Sequence, residues 1–479
     1  MSDPIPVGAA AAGTPPAEQP ALVRGLNLWD TTLVVLGLVL GGGIFLTPAA
    51  IAQALPARWA ILTVWIVGGL LSVVGGLVYA EMGAMIPRAG GMYLYFREAF
   101  GELPAFLYVW VAYWVIQAGS NAAVAVGFAT YFSVFFPQLS TSRVAASLGP
   151  FPISAGQLVA VALILVLSVT HYIGIRRGVR IQGLFTLLIV LALVWLGVGG
   201  LVAAAPGPPT APSPLAPVSA AGFGVALIGV FWCFYGWSDI VAVAGEVRRP
   251  ERNLPLALIA GTGLILLLYV TVNFVFLRVI PAAELATVEQ PAALAAERLF
   301  GAGSKVVISL AVTAAAAGCV SAGLLLGPRV VYALAKDGLF PEAFGKVHPR
   351  FRTPGFAIVI QAVWTSLLCF SGRYDQLYTY SIFAVILAYA GTGVALLIFR
   401  RRLPNLPRPY RCSGYPLVPI VFVVTSLALA ANTIREQPRE TLAGLGILIL
   451  GLPVYLWMRR RAAHASRLRR ADNGSPEAP

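Results

Sequence analysis

The sequence predicts an all-α integral membrane protein of about 12 transmembrane helices, and three observations carry that prediction. Of 479 residues, 58% are hydrophobic and only 11% charged, well below the roughly one quarter charged of soluble domains. Apolar stretches of about 20 residues, the length that crosses a hydrocarbon core, recur from end to end. The interruptions between them are short and polar, which leaves no room for a separate soluble domain.

In chain order, residues 1–24 read as a disordered cytoplasmic tail, rich in Ala and Pro near the start and lacking the basic, then apolar, pattern of a cleavable signal. The first span, 28–52, holds the glycine run "GLVLGGGIFLTP". The second, 58–84, holds the pairs Gly68-Gly69 and Gly75-Gly76, small residues that let membrane helices approach closely. Spans three to five take 104–135, 155–174 and 183–205, and a proline-rich stretch follows them. The sixth, 222–245, is interrupted at Gly236, and the seventh and eighth take 256–280 and 303–335. Spans nine and ten take 354–372 and 377–400, the latter stopped by three arginines. The last two are 416–434 and 441–459, followed by a basic cytoplasmic tail over 461–479. The chain thus divides into five spans (25–205), five more (206–400) and a final pair (401–460).

A net charge of +14 would suggest nucleic acid for a soluble protein, but here its distribution sets orientation. With the N-terminus in the cytoplasm, most of the 33 lysines and arginines fall on the inner side, among them Arg24, Arg88, Arg97, Arg248, Arg249, Arg252, Lys336 and the cluster from Arg400 to Arg411. The positive-inside rule therefore predicts cytoplasmic termini in a plasma (inner) membrane, with the arginine runs against anionic lipid headgroups. Cys233, Cys319 and Cys369 lie within spans and Cys412 on the inner side, so no outer pair offers a disulfide, and no accessory subunit is expected. His171, His348 and His464 are expected at inner loops or the tail, too far apart for a metal site or an embedded enzyme centre. No cofactor follows from this chain.

Glycine costs about 1 kcal/mol per site against alanine inside a helix, so Gly41, Gly42 and Gly43 need a reason. A phosphate loop would require Lys and Ser or Thr directly afterwards, and the chain continues Ile44-Phe45-Leu46. Close packing and a deliberate break both remain open on this stretch alone. A second interruption, "FWCFYGWSDI" at 231–240, lies about 190 residues later. If the first and second sets of five spans are inverted repeats, the two breaks occupy corresponding helices, a pointer to a transporter binding site. Broken helices expose amides on one half and carbonyls on the other, which suit a carboxylate and an ammonium. A free amino acid carries both on one carbon.

The stretch Gly41 to Phe45 resembles the glycine-rich first-helix signature of the amino acid-polyamine-organocation (APC) superfamily. "YAEMGAMIPRAGGMYLYFREAFG" (79–101), "EVRRPERNLP" (246–255), "YALAKDGLFPEAFGKVHPRFRTP" (332–354) and "RRRLPNLPRPYRCSGYPLVP" (400–419) are similar to its inner loops. The tract from Trp237 to Pro255 resembles the L-amino-acid-transporter branch. The resemblance implies a LeuT-like 5+5 inverted repeat with helices one and six broken, plus two C-terminal helices. It implies that amides of Gly41, Gly42 and Gly43, with Ile44 beside them, bind the substrate carboxylate. Carbonyls of Trp232, Cys233, Phe234 and Tyr235 would take the ammonium, and Trp232 would act as the gate. It also places a lysine of many relatives at Ile189, where no cation is available here, and leaves Ser321 as the one span-eight hydroxyl for an ion.

Three acidic residues in the spans remain. Asp30 follows Asn27 by three residues, the spacing of an N-terminal cap, and Glu81 ends span two in a structural position. Asp239 is either a carboxylate in an inner vestibule or paired with an arginine such as Arg329, or else a proton carrier. The expectation is an amino acid permease for neutral L-amino acids, an exchanger or uniporter working by alternating access. The alternatives are a proton-coupled symporter and a polyamine or cationic amino acid carrier.

Overall fold

The computed structural model describes residues 24–88, 90–148, 151–173, 176–203, 218–351, 353–371 and 374–472. The expected N-terminal tail, apart from Arg24, and the end of the C-terminal tail lie outside them.

The first interval forms two helices, α1 (Leu28–Val39) and α2 (Gly43–Ala54), bent by 43° at the glycine run. Asn27 and Asp30 start α1 as a reciprocal cap: Asp30 N–H donates to Asn27 Oδ1 at 2.9 Å, and Asn27 N–H to Asp30 Oδ2 at 3.1 Å. Helices α3 (Arg58–Met85), α4 (Met92–Phe100) and α5 (Glu102–Val111) follow. A π turn over Ala112–Gln117 joins α5 to α6 (Ala118–Phe132), one long element with a wider turn in its middle. An antiparallel hairpin, β1 (Val144–Leu148) and β2 (Phe151–Ser154), then leads to α7 (Ala155–Ile173) and α8 (Arg176–Val202). The hairpin falls where the sequence marks only a connection, because a few apolar residues among serines give no clear period.

The second half begins with α9 (Ala220–Phe234), which breaks at Tyr235 and Gly236 and continues as a 3-10 helix over Trp237–Glu246. Then come α10 (Pro250–Val279), the short α11 (Ala282–Leu285) and α12 (Pro291–Phe300), and the 35-residue α13 (Ala302–Lys336). The chain finishes with α14 (Gly355–Ser371), α15 (Tyr374–Arg402), α16 (Leu417–Glu436) and α17 (Pro438–Asp472). Among the described residues helix occupies most of each apolar interval. Among the described residues eight helices are long and apolar enough to cross a membrane, or nine when the bent α1–α2 pair is taken as one span. The count falls below 12 partly because a broken span is two short pieces, as α9 and its 3-10 continuation are.

Helix α3 lies along α10, α6 along α13, and α1 against α10. The broken elements pack crosswise, α2 on α9 and α1 on the 3-10 helix, so they run antiparallel to each other. The short helices α4 and α12 also correspond. Each precedes a long spanning element, and each ends at a glycine of positive φ, Gly101 (+92°) and Gly301 (+89°), that also starts the next helix. The local sequences are REAFGE and ERLFGA.

One charge cluster ties the two halves. Glu81, fully buried at the end of α3, accepts bonds from Arg400 Nε at 2.7 Å and Nη2 at 2.8 Å, at the end of α15. The Cys412 amide donates to the same carboxylate at 2.7 Å, and Arg408 Nε lies 3.4 Å away. A buried carboxylate is tolerable only when paired and hydrogen-bonded, and here it anchors the loop after α15.

Candidate functional site

The site begins with what the glycines permit. A methyl on Gly41 would meet Cys319 Sγ of α13 at 2.7 Å, and one on Gly43 would meet Cys233 Cα of α9 at 3.2 Å. At the second break, Gly236 has φ +118°, a region side chains rarely adopt, and any Cβ would run into the carbonyl of Leu38. Both glycine sites therefore serve the break and close packing at once. They bring the end of α1, the start of α2, the end of α9 and the middle of α13 around one point.

That point is a small cavity of about 50 Å³. Gly41, Gly42 and Gly43 line it from the first break, and Trp232, Cys233, Tyr235 and Gly236 from the second. Gln117, Ser120 and Asn121 enter from the π turn and α6, and Cys319 and Gly323 from α13. A second cavity, of about 40 Å³, lies toward Gly90 and Met92 and shares Gln117, Tyr235, Asp239 and Leu326 with the first. Three side chains bond across this shared wall. Tyr235 Oη donates to Asp239 Oδ2 at 3.1 Å, and Gln117 Nε2 lies 3.3 Å from Tyr235 Oη and 3.4 Å from Asp239 Oδ2. Ser238 Oγ approaches Asp239 Oδ1 at 3.4 Å, so these three hydrogen-bonding groups around the carboxylate are neutral. Trp232 stacks on Tyr235, with ring centroids 6.2 Å apart and planes 14° apart.

The sequence model of the family described as amino acid permease matches residues 26–452. The chain belongs to this family. It is a member of the APC superfamily, a membrane transporter of amino acids and not an enzyme. The permease is 31% identical over 451 residues to the serine/threonine exchanger SteT of Bacillus subtilis (strain 168), covering 93% of this chain and 99% of that one. It is 29% identical to the cystine/glutamate transporter of Homo sapiens, over 92% and 86% of the two chains. It is 28% identical to the human large neutral amino acids transporter small subunit 2, over 91% and 80%.

The permease gathers most, not all, of the residues singled out by sequence. Gly41, Gly42, Gly43, Trp232, Cys233, Tyr235 and Asp239 share the pocket. Ile44 is buried outside its lining, and Phe234 turns away so that its ring meets Tyr269 at 5.1 Å. Ile189 is buried on α8, which packs against α1 and α13. Ser321 does not line the pocket; its hydroxyl lies 2.8 Å from His171 Nε2 on α7. His171 is therefore buried between spans rather than peripheral, because a hydroxyl across the interface satisfies one ring nitrogen. Sequence reasoning missed Gln117, Ser120 and Asn121. Their signal was present: three polar residues at i, i+3 and i+4 in an apolar span share one face, and intramembrane polar groups are costly enough to need a task.

Proposed function

We propose that the permease exchanges small neutral L-amino acids across the plasma (inner) membrane by alternating access, with both termini cytoplasmic. The observation that carries this reading is the meeting of two helix breaks in the lining of one small pocket. No side chain caps the N-terminus of α2, so its first amides lack helical acceptors and lie at the positive end of the helix dipole. The amides of Gly42, Gly43 and Ile44 receive the substrate carboxylate there, whereas the expected Gly41 amide donates to the Val39 carbonyl at 2.7 Å. The carbonyls of Trp232, Cys233, Phe234 and Tyr235 at the end of α9 face the ammonium. Tyr269 Oη already donates to the Cys233 carbonyl at 3.2 Å, which leaves that oxygen a second lone pair. Trp232 serves as the gate over the bound molecule.

The antiparallel contact of the broken elements, and the matching of α4 with α12, support inverted repeats over 25–205 and 206–400. The final pair of spans completes the 12-helix LeuT-like plan. Exchange is favoured by the activity named for SteT, and a neutral substrate by a lining whose single charged side chain is Asp239. A polyamine or other cationic substrate would call for more carboxylates facing the breaks. One relative is named a small subunit; we propose that this permease has no disulfide-linked companion, since its four cysteines lie within spans or on the inner side, and none is exposed. The test is uptake of labelled amino acid into proteoliposomes. Internal unlabelled substrate should accelerate entry at least tenfold over empty vesicles, and failure of every amino acid to move would end the reading.

A second reading rests on Asp239, which stands in the wall between two cavities among neutral partners. There a carboxylate that takes up and releases a proton would couple transport to a pH gradient.

A further inference from the structure

Tyr269, fully buried on α10, touches both helix breaks with one atom. Its hydroxyl donates to the carbonyl of Val39 at 3.3 Å and to that of Cys233 at 3.2 Å. Both residues line the pocket, Val39 at the end of α1 and Cys233 one residue before the end of α9. A continuous helix would give the Val39 carbonyl the amide of Gly43, and the Cys233 carbonyl that of Trp237, but the breaks interrupt both ladders. One hydroxyl proton is therefore shared between carbonyls that the two breaks release. The ring that carries it is clamped. It meets Trp65 of α3 edge-on at 5.7 Å and Phe234 of α9 at 5.1 Å. Asn273 Nδ2, one turn further on, donates to the Tyr269 carbonyl at 2.9 Å. Helix α10 itself runs unbroken for 30 residues, a fixed support beside two interrupted ones.

We infer that Tyr269 is a positioning residue for the substrate: its hydroxyl ties the two breaks together and sets the spacing at which the pocket reads a carboxylate and an ammonium, so that α-amino acids are selected over β-amino acids. The inference rests on the reading of this pocket as the substrate site. The amides for the carboxylate begin three residues past Val39, and the carbonyls for the ammonium include that of Cys233 itself. Each group moves with its own broken helix. Packing of α2 on α9 brings the two segments together, but apolar contact is non-directional and does not fix which way a carbonyl faces. A hydroxyl bonded to both carbonyls does. An α-amino acid carries its two charges on one carbon, whereas a β-amino acid sets them one methylene further apart, and a cavity of about 50 Å³ leaves little room to adapt. A spacing held in advance favours the ligand that matches it, because no ordering cost remains to be met on binding. A loosened spacing accepts either isomer.

The test compares the isomers L-alanine and β-alanine as competitors for uptake of labelled amino acid into proteoliposomes. The wild type should favour L-alanine at least tenfold. Tyr269→Phe, which removes the hydroxyl and keeps the ring, should narrow that ratio to about twofold. Tyr269→4-aminophenylalanine returns a donor to the same place and should restore the wild-type ratio. Thr262→Val, two turns earlier on α10, removes a buried hydroxyl that donates to the Leu258 carbonyl of its own helix at 2.7 Å, and should leave the ratio unchanged. A full ratio in Tyr269→Phe would overturn the positioning role. So would a wild type that takes both isomers equally, or a Thr262→Val protein in which the ratio narrows as far. Should Tyr269→Phe not fold, the 4-aminophenylalanine protein decides, since a folded form of it without discrimination contradicts the inference. Transport that ignores the hydroxyl rejects this inference alone. Absence of amino acid transport in the wild type rejects the proposed function with it.

Discussion

Three adjacent glycines at the first break have different neighbours, and the difference sorts their roles. A methyl on Gly41 or Gly43 presses on Cys319 or Cys233, whereas one on Gly42 meets only Leu46 Cδ1 at 3.6 Å. Gly42 also has ordinary helical dihedrals, φ −66° and ψ −16°. The fold accepts a side chain there, but the pocket does not, since Gly42 lines it. Gly42→Val should stay monodisperse in detergent with a near-native melting temperature, while substrate affinity falls at least tenfold, about 1.4 kcal/mol. Gly236→Ala should do the reverse of sparing the fold. Its φ alone costs roughly 1–2 kcal/mol, and the Leu38 carbonyl blocks the methyl, so folded yield and melting temperature should both drop. The run of glycines was legible in sequence as an oddity. Which of them the fold needs was not, because the deciding atoms sit on α9 and α13, some 190 and 280 residues away.

Among the elements, the cap at Asn27 and Asp30 was readable because it is a local pattern, whereas the break in the first span, open to a packing reading on its own stretch, became legible only beside the second interruption about 190 residues later. The wider turn at Ala112–Gln117 was not, since nothing in AYWVIQ differs in composition from ordinary helix. It decides how α6 presents Ser120 and Asn121. Glu81 was readable as a charge at a span end, but its partner Arg400 lies 319 residues further on. Removing one member of a buried ion pair strands the other and typically costs about 3–5 kcal/mol. Arg400 retains 20% side-chain exposure, which lets water relieve part of that loss. Glu81→Gln should therefore destabilise the permease by about 2–3 kcal/mol, seen as a lower melting temperature in detergent. A melting temperature equal to wild type would reduce the cluster to an incidental contact.

For the whole molecule, the energetics of transport follow from what surrounds the substrate. Where the end of α1 meets α13 the contact is Gly41 against Cys319. A thiol is a poor ligand for a hard cation, which prefers several oxygens. Ile189 supplies no charge, and Ser321 is engaged with His171. Uptake into preloaded vesicles should therefore proceed equally well with sodium or with choline as the bulk cation, and an obligatory sodium gradient would contradict this. Asp239→Asn separates the remaining possibilities: exchange that survives the substitution, with no response to an imposed pH gradient in the wild type, leaves the carboxylate a structural role. The paired short helices, closing at Gly101 and Gly301, carry one further consequence. On the proposed inverted-repeat plan, the two halves can trade shapes, and the traded molecule resembles the original turned over. Inward-facing and outward-facing forms then lie at nearly equal depth on the energy landscape, with no built-in direction. A carrier of that kind runs downhill either way, and its net flux belongs to the concentrations on its two sides.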